Sequence, residues 1–281
     1  MRHRLEPGEI DRELAALKRL GFEQVLLLTG ERTPHADFVY LREGVRAAAR
    51  LFHEVTVEAF PMAADEYRAL AEAGCTGVTI YQETYDPEAY ERFHRWGPKR
   101  DYAARLEAPS RALAGGVASV GLGALLGLAD PLADALALFR HVRALQQRFW
   151  RAAFSVSFPR LRPEAGGFQA PYPVSDRWLA QLIFTFRICL PETTLVLSTR
   201  EAPAFRDGLA GVGVNRMSAG SRTTVGGYDG RAEDEGQFAV SDGRDVTAFC
   251  AMLRGRGLDP VFKNWDAAYR SVLPPSGGVP A

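Results

Sequence analysis

Carboxylate, arginine and hydroxyl side chains recur in this sequence just after short apolar runs. The clearest case is residues 77–85, Gly-Val-Thr-Ile-Tyr-Gln-Glu-Thr-Tyr, where β-branched residues give way to Gln82 and Glu83. β-branched residues favour a strand covered on both faces, and parallel α/β folds gather their chemistry at the carboxyl ends of such strands. We interpret this stretch as a strand that ends in an active site. The alternative is an ordinary loop beside two core tyrosines, Tyr81 and Tyr85.

Groups that can bind or react follow the other apolar runs as well. They are Thr29 and Glu31, Gly121 and Gly123, Arg160 and Arg162, Arg200, and Ser218 and Ser221. Strand-end carboxylates and arginines suit a zwitterionic ligand, because arginine pairs with a carboxylate and glutamate with an ammonium group. The five histidines are scattered, so a Ser-His-Asp or Cys-His hydrolase and a zinc enzyme are poorly supported. The pattern predicts a site for an amino acid, or for a cofactor with an amino-acid portion.

Composition narrows the choice of partners. The 34 basic and 34 acidic residues cancel, so no overall charge favours nucleic acid or an anionic membrane. Cys75, Cys189 and Cys250 lie far apart without metal-ligand spacing, which argues against a disulfide framework and fits a reducing cytoplasm. No apolar run approaches the roughly 20 residues of a membrane span. We expect a soluble cytoplasmic protein with a small ligand and with no nucleic-acid or membrane partner.

Strand-like and helix-like segments alternate along most of the chain. Strands are predicted near residues 24, 54, 77, 117, 153, 194 and 212, nearly all followed by helices, and the chain begins on a helix at residues 9–20. A (β/α)₈ barrel has eight strands and begins on a strand. The sequence therefore predicts a TIM-type (β/α) barrel with seven strands, its first strand missing. We expect this barrel over residues 1–225, a C-terminal extension packed on it over 226–273, and a disordered tail over 274–281.

Seven segments occur in an order and at spacings typical of one known family. They are Leu28-Thr-Gly-Glu31, the run 79–85, Val120-Gly-Leu-Gly-Ala-Leu-Leu-Gly127, Ser155-Val-Ser-Phe-Pro-Arg-Leu-Arg-Pro163, Leu197-Ser-Thr-Arg-Glu201, Met217-Ser-Ala-Gly-Ser221 and Phe262-Lys-Asn-Trp-Asp266. Together they resemble the 2-iminoacetate synthases, the tyrosine lyases of thiamine biosynthesis, over nearly the whole chain. These are radical S-adenosylmethionine (SAM) enzymes, which cleave L-tyrosine to p-cresol and 2-iminoacetate with a [4Fe–4S] cluster.

The resemblance implies roles for individual residues. The turn after the family's second strand meets the methionyl amino group of SAM, an acidic residue holds the SAM ribose, and an arginine pairs with the SAM carboxylate. The corresponding cofactor-binding set is Thr29, Gly30 and Glu31 in the turn, Glu83 at the ribose and Arg105 at the carboxylate, together with Gln82. The implied substrate-binding set is Tyr81, Arg200, Ser218 and Ser221. Arg200 would clamp the tyrosine carboxylate, because a planar guanidinium binds it in a fixed orientation.

The sequence departs from the family at the cluster. The family's first strand ends in a CxxxCxxC loop whose thiolates hold three irons, and these 281 residues contain no such motif. One explanation is a fragment or mis-started version of a full enzyme. Another is a non-catalytic, shortened paralogue that partners thiazole synthase. A third is the sister enzyme that makes ligands of the hydrogenase cluster, but that enzyme carries a C-terminal cysteine motif, whereas Cys250 stands alone. We expect the isolated chain to bind no cluster.

Overall fold

Seven parallel strands form the framework of the molecule. The computed structural model describes residues 4–161, 168–229 and 240–262. Within them the strands pair in sequence order, so that each strand lies beside its neighbours in the chain. The strands are β1 Gln24–Leu28, β2 Glu54–Glu58, β3 Gly77–Glu83, β4 Ser119–Ala124, β5 Ala153–Ser157, β6 Thr194–Leu197 and β7 Arg216–Met217.

Along the described chain, one helix precedes the first strand and at least one helix follows each strand. They are α1 Pro7–Arg19, α2 Phe38–Ala49, α3 Ala64–Glu72, α4 Pro87–Phe93, α5 Tyr102–Ala114, α6 Pro131–Arg148, α7 Asp176–Cys189, α8 Pro203–Leu209 and α9 Val246–Gly255, with a 3-10 turn at Pro98–Arg100. Several begin at an aspartate or serine whose side chain accepts a backbone N–H of the first turn, as with Asp101 at α5 and Ser175 at α7. These caps set where each strand-end loop stops.

Strand alternation separates an outer apolar face from an inner polar face. In β2, Val55 and Val57 are fully buried under the helices, while Glu54, Thr56 and Glu58 occupy the alternate positions of the strand. The other central strands repeat this pattern, with buried aliphatic residues facing the helix layer and small or polar residues facing inward. The hydrophobic core therefore lies between sheet and helices, and the inside of the sheet is left for a ligand.

The two ends of the sheet curve towards each other. β1 and β7 are its edge strands, yet the Arg216 guanidinium on β7 lies 3.5 Å from the Glu54 carboxylate on β2. The Glu13 carboxylate on α1 also accepts the backbone N–H groups of Tyr228 and Asp229, beyond β7. The predicted seven-stranded, incomplete barrel is confirmed. No helix among the described residues has the length and apolar character needed to cross a membrane.

Several boundaries differ from the sequence-based expectation. Residues 87–93 form helix α4, which we had not predicted because this aromatic and charged stretch lacks an apolar helical repeat. The last strand, expected from 212, is reduced to Arg216–Met217. The strand expected near 117 begins at Ser119 and continues to Ala124, so that Gly123 as well as Gly121 lies inside β4. The expected tail at 274–281 and most of the segment at 262–266 fall outside the described residues, and the division into barrel and extension remains a prediction.

Candidate functional site

Charged side chains converge at the carboxyl ends of the first three strands. The Glu83 carboxylate, at the end of β3, lies 2.6 Å from the Lys99 ammonium and 3.5 Å from the Arg105 guanidinium. Arg105 also lies 3.8 Å from Glu31, which follows β1, and its Nε donates to the Tyr81 carbonyl at 3.0 Å. The structure thus brings together Glu31, Glu83 and Arg105, which the sequence analysis placed in one cofactor-binding set.

Two of these groups have buried polar atoms that lack a hydrogen bond. Glu31 Oε2 and Arg105 Nη1 are shielded from solvent and make no hydrogen bond among the described residues. A buried polar atom without a hydrogen bond costs about 1–3 kcal/mol. A carboxylate oxygen without a hydrogen bond, and a guanidinium nitrogen whose contact with Glu31 is a 3.8 Å ion pair, are complementary to the ammonium and carboxylate groups of a bound amino-acid moiety. The residues present therefore fit the methionyl end of SAM.

A strained turn aims Glu83 into the site. Glu83 has a φ of 71°, and it is the one residue besides glycine with a positive φ in the described chain. The Asp134 carboxylate, on α6, holds this turn by accepting the Thr84 hydroxyl at 2.9 Å and the Tyr85 N–H at 2.7 Å. Left-handed backbone at a non-glycine residue costs free energy and persists where the surroundings enforce it. Asp134 therefore fixes the direction of Glu83.

Tyr81 lies across the inner face of the sheet. Its hydroxyl makes a hydrogen bond with the Ser157 side chain on β5, and burial raises the pKa of this phenol. The intervening β4 residue is Gly123, where a Cβ atom would stand 2.7 Å from the Tyr81 ring and 2.8 Å from the Ser157 carbonyl oxygen. Glycine is required here because any side chain would displace the ring. Tyr81 thus forms part of the wall of the site.

Arg200, Ser218 and Ser221, which are predicted to bind the substrate carboxylate, follow the ends of β6 and β7. Ser218 follows β7, and its N–H donates to Leu197 at the end of β6. Arg200 precedes Glu201, whose buried carboxylate accepts Arg160 Nε at 3.0 Å. The Arg160–Glu201 pair, which also involves Asp176, ties the ends of β5 and β6 together. Ser221 lies three residues beyond Ser218 and is partly buried.

Thr29, Gly30 and Gln82, which were also predicted to bind the cofactor, lie at the ends of β1 and β3. The Thr29 N–H donates to the Glu58 carbonyl at 3.0 Å, which continues the β1–β2 pairing into the turn that contains Gly30. Gln82 is 2% exposed, and its Nε2 has no partner in the described chain. Strand alternation places Gln82 on the face opposite to Tyr81. Arg162 lies outside the described residues.

Glu58 is a site residue that the sequence did not predict. It is the last residue of β2, and its side chain is partly buried. Burial and the neighbouring Glu83 raise its pKa to about 7, against the opposing charges of Arg200, Arg105 and Lys99. The alternating run Glu54-Val-Thr-Val-Glu58 carries the signal, because two outward valines require the glutamates to face inward. Lys99 was also missed, since it lies in a short turn without a motif.

The described residues were also compared with the ligand set that an iron–sulfur cluster needs. Across residues 4–161, 168–229 and 240–262, no group of three or more His, Cys, Asp or Glu side chains could hold a metal ion. Cys75 and Cys250 are buried and Cys189 is exposed, and all three are free thiols. These residues do not form the ligand set of a [4Fe–4S] cluster.

Comparisons with known proteins identify the family. Residues 2–142 match the radical SAM superfamily, and residues 157–259 match the biotin and thiamin synthesis associated domain. The chain is 41% identical over 267 residues to the 2-iminoacetate synthase of Escherichia coli (strain K12), covering 95% of this chain and 71% of that protein. The chain belongs to the 2-iminoacetate synthase family. The enzyme of Salmonella typhimurium is 38% identical with the same coverage.

A solved structure supports the same assignment for the fold. HydG, a maturase of the [FeFe]-hydrogenase, superposes with a TM-score of 0.89 at 32% identity, over 96% of this chain and 60% of HydG. The chain thus spans less than two thirds of that maturase. The 2-iminoacetate synthase family is a family of radical SAM lyases, and its cofactors are SAM and a [4Fe–4S] cluster. Of these two, the described residues carry a site that fits SAM.

Proposed function

We propose that this chain provides the SAM-binding and tyrosine-binding part of a 2-iminoacetate synthase, which cleaves the Cα–Cβ bond of L-tyrosine to 2-iminoacetate and p-cresol. The observation that carries the proposal is a pair of buried atoms beside Glu83, Glu31 Oε2 and Arg105 Nη1, which make no hydrogen bond within the described chain. Glu31 and Arg105 would hold the methionyl ammonium and carboxylate, and Glu83 the ribose hydroxyls. Bound SAM supplies a 5′-deoxyadenosyl radical in this family.

The substrate half of the proposal rests on the opposite side of the inner face. Arg200 would bind the tyrosine carboxylate in a fixed orientation, with the hydroxyls of Ser218 and Ser221 beside it. Tyr81 closes the wall between this clamp and Glu83. Orientation matters because a reactive radical takes the hydrogen that is held nearest to it. A stable complex with thiazole synthase remains a prediction.

Turnover of tyrosine tests the proposal directly. The chain is joined to an N-terminal segment bearing the family's CxxxCxxC loop and reconstituted anaerobically, and p-cresol and 5′-deoxyadenosine are measured with SAM, reductant and tyrosine. We expect both products. Formation of 5′-deoxyadenosine without p-cresol would show that tyrosine is not the substrate, and the absence of both in a reconstituted, folded protein would contradict the SAM site as well.

A further inference from the structure

Glu58 is an unassigned acid in the middle of the site. Its carboxylate has no hydrogen-bond or ion-pair partner among the described residues, whereas Glu83, Glu31 and Glu201 each form an ion pair with a lysine or an arginine. It is the β2 counterpart of Leu28 on β1 and of Thr79 on β3. Its position between the Glu83 side of the site and the Arg200 side leaves it facing the space where the two ligands would meet.

The charges around Glu58 come from every side of the site. Glu83 and Tyr81 belong to β3, Arg105 to α5, Lys99 to the turn before α5, and Arg200 to the loop after β6. The neighbouring strand β1 contributes Leu28, which carries no charge. Burial and one negative neighbour make a proton on Glu58 favourable, and three cations oppose this. Such an acid can exchange a proton near neutral pH.

The proposed reaction requires a proton acceptor at the amino nitrogen. A tyrosine ammonium group carries three hydrogens on nitrogen, whereas the neutral imine nitrogen of 2-iminoacetate carries one. Two hydrogens must leave, one as a hydrogen atom and the other as a proton. With the carboxylate held at Arg200, the amino group, two bonds from the carboxylate carbon, would lie towards the inner face. Among the described residues, Glu58 is the acid there that has no hydrogen-bond or ion-pair partner.

We infer that Glu58 binds the amino group of the substrate and takes one proton from it. The inference rests on the proposed function and assigns a catalytic base to that same site. An N–H bond of the ammonium breaks, its electron pair stays on nitrogen, and an O–H bond forms on the Glu58 carboxylate. The products of this step are a neutral amine and a neutral carboxylic acid, so the step needs no oxidant or reductant.

Binding of ¹⁵N-labelled tyrosine to the chain with saturating SAM tests the inference without turnover. At pH 8 we expect the ¹⁵N shift of a neutral amine in the wild type. Glu58→Gln, which keeps the shape but cannot accept a proton, is expected to bind tyrosine at least tenfold more weakly and to show an ammonium shift. Glu58→Asp should restore part of the tyrosine affinity and part of the neutral-amine ¹⁵N signal. Glu54→Gln, at the other end of β2, should resemble the wild type in both measurements.

A substrate analogue and pH separate this role from a structural one. The affinity of the wild type for tyrosine should fall about tenfold per unit as the pH drops below 7, because the protonated Glu58 must first lose its proton. This slope should vanish in Glu58→Gln, and 3-(4-hydroxyphenyl)propanoate, which lacks the amino group, should bind both proteins alike.

Unchanged tyrosine affinity and ¹⁵N shift in Glu58→Gln, or an ammonium shift in the wild type, would overturn the inference and leave the proposed function standing. A wild type that binds SAM but no tyrosine would overturn the proposed substrate, and Glu58 as its base with it.

Discussion

At the scale of single residues, the site divides its charges between two ligands. Glu31, Glu83 and Arg105 form one connected group at the ends of β1 and β3. Arg200 lies across the inner face, in the loop that the Arg160–Glu201 pair fixes. Because these groups belong to different strand ends, changing one should affect one ligand and leave the other bound.

Arg200 is the residue for which this separation can be tested. Arg200→Ala should weaken tyrosine binding by roughly two or more decades, since removing one partner of a shielded charge pair costs several kcal/mol. Arg200→Lys keeps the charge but loses the planar fork, and should lose much of the activity. SAM cleavage should survive both changes. The measurements are tyrosine affinity and the ratio of p-cresol to 5′-deoxyadenosine in the reconstituted protein.

An exposed arginine provides the control for Arg200. Arg177→Ala, on the solvent side of α7, should leave tyrosine binding and product ratio at wild-type values. If Arg200→Ala formed p-cresol at the wild-type rate, the assignment of the clamp would be wrong, while membership of the family would be unaffected.

Glu58 should also make stability depend on pH. Its pKa is raised from 4.5 in its ordinary state to about 7 in the folded protein. The folded state therefore binds more protons than the unfolded state between these values, and the free energy of unfolding falls as pH rises through that window. Above pH 7, the ionised Glu58 lowers the free energy of unfolding by its full amount, on the order of 1–3 kcal/mol. Glu58→Gln should therefore raise the melting temperature at pH 8 and change it little at pH 4.5.

Thermal unfolding at the two pH values decides this point. A gain in Glu58→Gln of equal size at pH 4.5 and pH 8 would mean that the carboxylate is not held protonated by its surroundings. A loss of stability at pH 8 would mean that Glu58 has a favourable partner in the folded protein.

At the scale of elements, the β3 turn is held by a helix distant in sequence. The Asp134 carboxylate on α6 satisfies the hydroxyl of Thr84, which is fully buried, and the Tyr85 N–H. Burial raises the pKa of Asp134, and one of its oxygens has no partner in the described chain. Glu83, next to this turn, has a positive φ. Loss of the two Asp134 hydrogen bonds should therefore let the Glu83 side chain relax away from the site.

Asp134→Ala and Asp134→Asn distinguish positioning from loss of charge. Asp134→Ala leaves two buried donors unpaired, and should lower the free energy of unfolding by about 2–3 kcal/mol and weaken SAM binding by about tenfold. Asp134→Asn keeps an acceptor oxygen at the same place, and should recover most of the SAM affinity. Isothermal titration with SAM measures both. Equal losses in the two variants would show that the charge, and not the hydrogen bonds, is what matters.

The sequence predicted elements better than the details of their ends. Continuous β-branched runs such as Val78–Ile80 can only be buried strands or short helix segments, and the alternation with helices decided for strands. Strand β7 was overestimated because pairing with β6, and not local propensity, determines how long an edge strand is. Glu58 was missed for the opposite reason, since a glutamate at a strand end has meaning only once neighbouring strands bring charges beside it.

At the scale of the whole molecule, the iron–sulfur cluster and the SAM site can be separated by experiment. Of the three cysteines, Cys75 lies in the turn between α3 and β3, Cys189 ends α7 and Cys250 lies in α9, so none shares a loop with another. Three thiolates from one loop are what a [4Fe–4S] cluster with an open iron requires. We expect anaerobic reconstitution of this chain to give no stoichiometric iron and sulfide, while SAM still binds. Stoichiometric cluster incorporation would contradict this.

The exposed edge strand β1 predicts that the isolated chain associates with itself. Leu26 and Leu28, on β1, are 42% and 54% exposed, and within the described residues β1 pairs with β2 alone. An apolar edge strand offers unpaired N–H and C=O groups to another chain, so we expect self-association that increases with concentration. Leu26→Lys should reduce it, because a charge on an edge strand opposes strand pairing. Leu132→Lys, equally charged and at a 68% exposed site on α6, should not. Sedimentation velocity over a range of concentrations measures the effect, and a monomeric wild type, or equal relief by the two lysines, would show that association does not occur through β1.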